Sequence, residues 1–317
     1  MKTIYEEQIS QPGRECSVTI LNGFTPFTRK VRGVTIAGAI GGSGSPLLLL
    51  HGYPQTHAMW HAIAPELAAS FTVVAADLRG YGDSDKPADD PTHATYSKRA
   101  MAADMVELME QLGFRHFAVV GHDRGARVTH RMCLDYPDRV TRAAVLDIAP
   151  TRYMYQTADR EFATAYYHWF FLIQPAPLPE RLIEADPEFW VRSKLAHWGR
   201  TPIAFTEQAI AEYTRCFRNP ATIAASCADY RAAATIDLVH DEEDVRAGRN
   251  IRCPLLVLWG EKGFIGRKYD VLNVWREYAT EVHGHSVPGG HFLPEEAPAE
   301  TLAALQRFFA PSSGRLT

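Results

Sequence analysis

Short apolar runs separated by amphipathic stretches organise this sequence. Six segments are predicted to be sheet strands, most of them apolar: 47–50, 71–78, 117–120, 140–148, 255–259 and 281–287. Two earlier apolar segments, 18–21 and 31–40, predict an antiparallel opening hairpin. Helical periodicity occupies the intervals 56–69, 96–112, from about 125, 268–278 and 294–309. The alternation predicts an α/β fold with an eight-stranded, mostly parallel sheet flanked by helices.

The pattern changes between residues 151 and 237. Helical segments rich in aromatic residues replace the alternation of strands and helices, and several prolines interrupt them. We interpret this part as a helical cap inserted into one core. The predicted domains are the first part of the core at 1–150, the cap at 151–237 and the second part of the core at 238–317.

Composition narrows the classes of function. The chain has 317 residues and a formal net charge of -4, so we expect neither nucleic acid nor a membrane as a partner. The five cysteines lack the spacing of a disulfide scaffold or a zinc site, which favours reduced thiols. The first twenty residues are charged and lack the apolar core of a secretory signal. We therefore expect a cytoplasmic protein.

The stretch 117–127 carries the most informative motif. An apolar β-branched run stops at Gly121 and a helical pattern begins near Gly125, so Asp123 falls on the turn between them. This is the layout of a nucleophile elbow, in which a glycine-flanked turn usually exposes a serine. A carboxylate in that place predicts attack on an sp3 carbon, an ester of Asp123, and hydrolysis of that ester in a second step.

Two further residues complete a candidate catalytic triad. Asp147 follows the next predicted strand and His291 precedes the last helix, which is the chain order of α/β-hydrolase triads. Active sites of open α/β sheets lie at the carboxyl ends of the strands, so we expect the three side chains to meet. Backbone N–H groups near Tyr53 and Arg124 would form an oxyanion hole. This chemistry requires no metal and no organic cofactor.

Two arginines beside the elbow indicate an anionic substrate. Arg124 and Arg127 lie three residues apart on the first helical turn, at a helix N-terminus that already favours anions. They would hold a substrate carboxylate and keep Asp123 ionised. The alternative is that one of them forms a structural ion pair with a nearby carboxylate.

Six motifs spread over nearly the whole chain sharpen this interpretation. They are HGYPQTHAMW (51–60), DLRGYGDS (77–84), GHDRGAR (121–127), LDIAPT (146–151), YHWFFL (167–172) and GGHFLPEE (289–296). Together they resemble the fluoroacetate dehalogenases, also called haloacetate dehalogenases. The resemblance implies an α/β-hydrolase fold with a cap, a small halogenated carboxylate and water as reactants, and a homodimer.

The resemblance also assigns roles to individual positions. It places the triad on Asp123, His291 and Asp147, the carboxylate site on Arg124 and Arg127, and the halide pocket on His168, Trp169 and Tyr230. An imidazole, an indole and a phenol supply three donors for a departing fluoride, which is a poor leaving group. We expect His51 to order the oxyanion loop and Trp60 to line the pocket.

Two alternatives come from other classes of protein. Epoxide hydrolases share the aspartate elbow, the HGxP loop and the cap, but they usually place tryptophan after the nucleophile, as haloalkane dehalogenases do. Arg124 occupies that position here and would lack a partner on a neutral substrate. Some α/β-hydrolase folds are hormone receptors without turnover, and the complete triad argues against that function.

Overall fold

The computed structural model describes residues 20–201 and 204–310, and an eight-stranded sheet lies at its centre. The strands are β1 (Thr25–Val31), β2 (Val34–Gly41), β3 (Ser45–Leu50), β4 (Phe71–Ala76), β5 (Phe117–His122), β6 (Val140–Leu146), β7 (Leu255–Gly260) and β8 (Val282–Val287). Their order is β1-β2-β4-β3-β5-β6-β7-β8. The pairs β1 with β2 and β2 with β4 are antiparallel, and all other neighbouring pairs are parallel. The predicted fold class is confirmed.

Helices of the core cover the sheet. They are α1 (Ala64–Leu67), α2 (Lys98–Gln111), α3 (Arg124–Asp135), α12 (Phe264–Lys268), α13 (Val271–Arg276), α14 (Leu293–Glu296) and α15 (Pro298–Phe309), with 3-10 turns at His57–Trp60 and Ala94–Tyr96. Every described element between β6 and β7 is helical. These are α4 (Thr151–Gln156), α5 (Arg160–Ala165), α6 (Tyr167–Leu172), α7 (Leu178–Glu184), α8 (Pro187–Trp198), α9 (Glu207–Phe217), α10 (Pro220–Ala234) and α11 (Ile236–Arg246). The boundaries of the cap at 151 and 237 stay a prediction.

The four central strands bring the candidate site together. The side chains of Leu47 to Leu50 on β3 are fully buried because helices cover both faces of this part of the sheet. In the parallel register Leu50 lies opposite Gly121 on β5, and His122 lies opposite Leu146 on β6. The residues that follow these strands therefore emerge side by side at one edge of the sheet.

Two details of the predicted elements are wrong. The first strand of the opening hairpin is β1 and not 18–21, of which residues 18 and 19 lie outside the described part. β1 is an edge strand with only Phe27 and Val31 buried, so it lacks an apolar run. The helices predicted at 56–69, 268–278 and 294–309 are each broken in two. In the last of them Pro298 has no N–H for the helical ladder and begins a new helix.

None of the helices in the described ranges combines the length and the apolar character that crossing a membrane requires.

Candidate active site

Asp123 occupies a strained turn between β5 and α3. Its backbone has φ 45° and ψ -110°, a conformation that a residue with a side chain rarely adopts. Glycines surround it because nothing larger fits: a Cβ on Gly121 would lie 2.4 Å from the carbonyl oxygen of Gly125, and a Cβ on Gly125 would lie 2.4 Å from that of Leu50. A Cβ on Gly52 would come within 2.6 Å of the Asp123 Cβ. The predicted elbow is present, with Asp123 at the turn between strand and helix and its side chain buried.

The structure brings Asp147 and His291 together as the sequence predicts. Asp147 follows β6 with φ 51°, and its Oδ2 lies 2.6 Å from Nδ1 of His291. The backbone N–H of Gly260 donates to the other carboxylate oxygen at 3.0 Å. The carboxylate accepts a hydrogen bond from Nδ1–H, so the neutral imidazole keeps its proton on Nδ1 and Nε2 is its basic atom.

Electrostatics favours an ionised nucleophile beside a basic histidine. Burial alone would raise the pKa of Asp123, but the charges of His291, Arg127 and Arg124 outweigh it and hold that pKa below its ordinary value. Burial alone would lower the pKa of His291, but the hydrogen bond and charge of Asp147 raise it above 6.5. The ionised form of Asp123 is the one that attack by a carboxylate requires, and the raised pKa makes the neutral imidazole of His291 a stronger base.

The loop after β3 holds a backbone donor against the nucleophile. The N–H of Tyr53 donates to Oδ2 of Asp123 at 3.1 Å. His51 fixes this loop from both sides, because its Nε2 accepts from the N–H of Leu78 at 3.1 Å and its carbonyl accepts from the N–H of Gly125 at 2.9 Å. The loop therefore places one oxyanion donor next to the elbow, as expected for Tyr53.

Arg124 has a protein partner that the sequence did not identify. Its Nε donates to Oδ2 of Asp229 at 2.8 Å, and its Nη2 donates to Oδ1 at 2.7 Å. This bidentate pair is fully buried, and the guanidinium also lies 4.1 Å above the ring of Tyr230. Its Nη1 is buried and has no hydrogen-bond partner among the described residues. The structural ion pair left open above is thus present, and one nitrogen of Arg124 remains for a ligand.

Arg127 lacks such a carboxylate. Its Nη1 donates to the carbonyl of Ala149 at 3.1 Å and to Oγ1 of Thr151 at 2.9 Å. Its Nε is buried without a partner in the part of the chain that the structure describes, and no carboxylate there lies within ion-pair distance. Burial lowers the pKa of Arg127, with the Asp123 charge opposing that effect. Arg127 therefore differs from Arg124 in having no bidentate carboxylate partner among the described residues, and the charge that most favours its ionised form is that of Asp123.

The three residues predicted for halide binding lie in one aromatic cluster from the cap. The ring of His168 lies 5.5 Å from that of Tyr230, and the ring of Trp169 lies 6.5 Å from it. The Nδ1 of His168 and the phenol oxygen of Tyr230 are buried without partners among the described residues. Burial and the charge of Lys194 lower the pKa of His168 well below 6.5, so its imidazole is neutral. The ring of Trp169 packs 4.7 Å from the Arg127 guanidinium.

Trp60 is buried, and its indole N–H has no partner in the described ranges. No ring contact given by the structure joins it to the cluster of Tyr53, His168 and Tyr230, so its place in the pocket stays a prediction.

Sequence reasoning missed Asp229, Lys98 and Trp198. Trp198 has a buried, unpaired indole N–H within the described ranges, and its ring lies 4.4 Å from His168 and 5.7 Å from His291. A charged residue inside the apolar, alanine-rich α10 was the available signal for Asp229. Lys98 gave no signal, because lysine at a helix start is usually solvated.

The candidate site is enclosed. Each of the predicted site residues is at most 5% exposed. Beside the site, a cavity of about 30 Å³ is large enough for a water-sized group, and of the predicted site residues His291 alone lines it, together with Tyr166, Trp198 and others. Within the described ranges no cluster of His, Cys, Asp or Glu is arranged to hold a metal ion. The arrangement can bind a small anion, attack it with a carboxylate and keep bulk water away.

Comparisons with known proteins identify the family of the chain. A family model described as alpha/beta hydrolase fold matches residues 45–298. A fluoroacetate dehalogenase from Burkholderia sp is 47% identical over 92% of this chain and 95% of its own. A soluble epoxide hydrolase from Corynebacterium sp. (strain C12) is 36% identical over 85% of this chain and 92% of its own. The crystal structure of ALR0039 from Nostoc sp PCC 7120 is 62% identical, covers 90% of this chain and 98% of its own, and superposes with a TM-score of 0.89. The resemblance to fluoroacetate dehalogenases is confirmed.

Proposed function

The chain belongs to the alpha/beta hydrolase fold family, and we propose that it is a hydrolytic dehalogenase of haloacetates that converts fluoroacetate into glycolate and fluoride. One observation carries the proposal. The charges of Asp123 on the elbow and of Arg127 act on each other, but no carboxylate among the described residues lies within ion-pair distance of the Arg127 guanidinium. A substrate with its own carboxylate would supply that partner, while Asp123 stays free for attack.

The first step breaks the carbon–halogen bond. Nε of Arg127 and Nη1 of Arg124 hold the substrate carboxylate, since these are the buried guanidinium nitrogens without partners among the described residues. The Asp123 carboxylate attacks the adjacent carbon, a new C–O bond forms, and halide leaves with the bonding electrons. The donors of His168, Trp169 and Tyr230 stabilise the charge that develops on the halide.

The second step restores the enzyme. Nε2 of His291 takes a proton from water, and the resulting nucleophile attacks the carbonyl carbon of the Asp123 ester. The N–H of Tyr53, which contacts Asp123 Oδ2 at 3.1 Å, stabilises the tetrahedral oxyanion. Collapse of this intermediate regenerates the Asp123 carboxylate and releases glycolate, and the proton on His291 passes to solvent. Asp147 holds the imidazole in the required tautomer throughout.

Fluoride release from fluoroacetate tests the proposal, with a fluoride-selective electrode and chromatographic detection of glycolate. We expect turnover by the unaltered enzyme and none by Asp123→Asn, which keeps the shape of the side chain. In water labelled with heavy oxygen, a single turnover should place the label on Asp123 before it enters glycolate. Label that enters glycolate while Asp123 stays unlabelled would indicate direct attack by water.

An epoxide hydrolase is the second candidate, and two observations favour it. The bidentate pair with Asp229 satisfies the charge of Arg124, so this arginine does not by itself exclude a neutral substrate. The unpaired donors of His168 and Tyr230 could also hold an epoxide oxygen. Parallel assays with fluoroacetate and styrene oxide separate the candidates. Epoxide turnover without halide release would overturn the dehalogenase proposal.

The homodimer and the cytoplasmic location implied above stay predictions. Light scattering of the purified protein tests the first, and fractionation of the native cells tests the second.

A further inference from the structure

Four buried charges link the cap to the elbow. Lys98 begins α2, Arg124 begins α3, Asp229 lies in α10 and Asp237 lies in α11. All four are at most 5% exposed. We call them the buried charge cluster. The cluster contains two cations and two carboxylates, so its formal charge is zero.

Asp229 is the centre of the cluster and is saturated with donors. Arg124 donates to both carboxylate oxygens, Lys98 Nζ donates to Oδ1, and the phenol of Tyr81 donates to Oδ2 at 2.7 Å. Burial would raise the pKa of Asp229, but the charges of Arg124 and Lys98 lower it. Asp229 therefore remains a carboxylate, and the orientation of Arg124 is determined from inside the protein.

Asp237 is the second carboxylate that contacts Lys98. Its Oδ1 accepts from the backbone N–H of Lys98 at 2.8 Å, and its Oδ2 lies 3.6 Å from Lys98 Nζ. That Oδ2 is buried and accepts no hydrogen bond from the described residues. Neither Lys98 nor Asp237 makes a hydrogen bond or an ion pair with the triad in the described ranges.

We propose that Lys98 and Asp237 are positioning residues that set the electrostatic potential at the free Nη1 of Arg124, and thereby the affinity of the elbow for a small carboxylate. Asp229 alone would neutralise Arg124 and leave its Nη1 a weak anchor for an anion. Lys98 offsets part of that negative charge, and Asp237 limits how far it does so. This inference rests on the proposed function, because it deepens the role of the same carboxylate site.

Two single variants change the formal charge of the cluster without altering a residue of the elbow, and their combination restores it. Lys98→Met makes the formal charge -1, Asp237→Asn makes it +1, and the double variant returns it to zero. The hydrogen-bonded path from Lys98 through Asp229 to a ligand on Arg124 is about 10 Å long, so at an effective dielectric constant of about 20 one charge changes affinity on the order of tenfold.

The test is binding of acetate, and of acetamide as its neutral counterpart, followed by fluorescence of Trp169 and the other tryptophans near the site. We expect acetate to bind roughly tenfold more weakly to Lys98→Met, roughly tenfold more tightly to Asp237→Asn, and within about threefold of the parent to the double variant. Acetamide affinity should stay within about threefold in all of them. Circular dichroism and thermal unfolding check that each variant is folded.

Other outcomes overturn the inference. Equal losses for acetate and acetamide in both single variants would show that the cluster acts only as structural support. Unchanged acetate affinity in folded Lys98→Met would show that the charge of Lys98 does not affect ligand binding at the elbow. Acetate binding requires no turnover, so this test is independent of the proposed function. Absence of fluoride release from the parent enzyme would reject the dehalogenase proposal. The dependence of acetate affinity on the charge of the cluster decides the present proposal.

Discussion

Replacement of Arg127 by glutamine should lower kcat/KM for haloacetates far more than kcat/KM for neutral analogues. The side chain donates through Nη1 to Ala149 and Thr151 and through Nη2 to a methionine sulfur. Its buried Nε has no partner among the described residues and is the nitrogen that we propose for the substrate carboxylate. The variant therefore loses one charge-assisted hydrogen bond and not a bidentate pair.

The expected loss in kcat/KM follows from the loss of one hydrogen bond. A hydrogen bond to a charged group contributes about 1.5–3 kcal/mol, so kcat/KM for chloroacetate should fall roughly 10- to 150-fold. The Arg127 charge also lowers the pKa of Asp123, and that effect acts on every substrate. The ratio of kcat/KM for chloroacetate to that for chloroacetamide cancels the common effect, so the ratio is the quantity to measure.

The assay is chloride release from both substrates by the parent enzyme and by Arg127→Gln. Thr151→Val is the matched control, because it removes one anchor of the guanidinium and keeps the charge. We expect the control to lower both rates by a similar, smaller factor. An unchanged ratio in Arg127→Gln, with equal losses on both substrates, would refute carboxylate recognition by Arg127.

Three further predictions concern the elbow and the triad. The variant His291→Ala should release one equivalent of halide per active site and then stop, because the ester can form without the base. Mass spectrometry should find a carboxymethyl group on Asp123. Continued turnover by this variant would contradict the mechanism. In the unaltered enzyme, kcat should fall as the pH decreases through a pKa above 6.5. The reason is that Asp147 raises the pKa of His291 and that only the neutral imidazole is a base. A midpoint below 6.5 in the profile of kcat against pH would contradict this prediction. Gly52→Ala should lower the rate of halide release on the order of a hundredfold, because the new Cβ would lie 2.6 Å from the Asp123 Cβ. The control Gly289→Ala, whose Cβ would have its nearest contact at 3.3 Å, should retain most of that rate.

The fold was predictable where burial leaves a local signature. β3, β5 and β7 are covered on both faces, so each contains a continuous apolar run. β1 lacks that signature, because it pairs on one side only and carries mostly polar residues. The broken helices were predicted as continuous, since periodicity detects a face and not the turn that interrupts it.

The residues of the candidate site also fall into those that the sequence could locate and those that it could not. Asp123, Asp147 and His291 could be found because glycines, strand ends and chain order constrain them locally. The bidentate partner of Arg124 could not, since Asp229 lies 105 residues away and reaches it only through the docking of α10 on the core.

By itself the sequence determined the parallel sheet, the aspartate elbow and the order of the triad, because each depends on short segments of chain whose conformations are largely local. The tertiary structure alone decided how the two guanidiniums differ. Packing of the cap places a buried carboxylate against Arg124 and none, among the described residues, against Arg127. Charge balance in a low-dielectric interior depends on which distant side chains meet, so only the folded chain distinguishes a structural ion pair from an anion site.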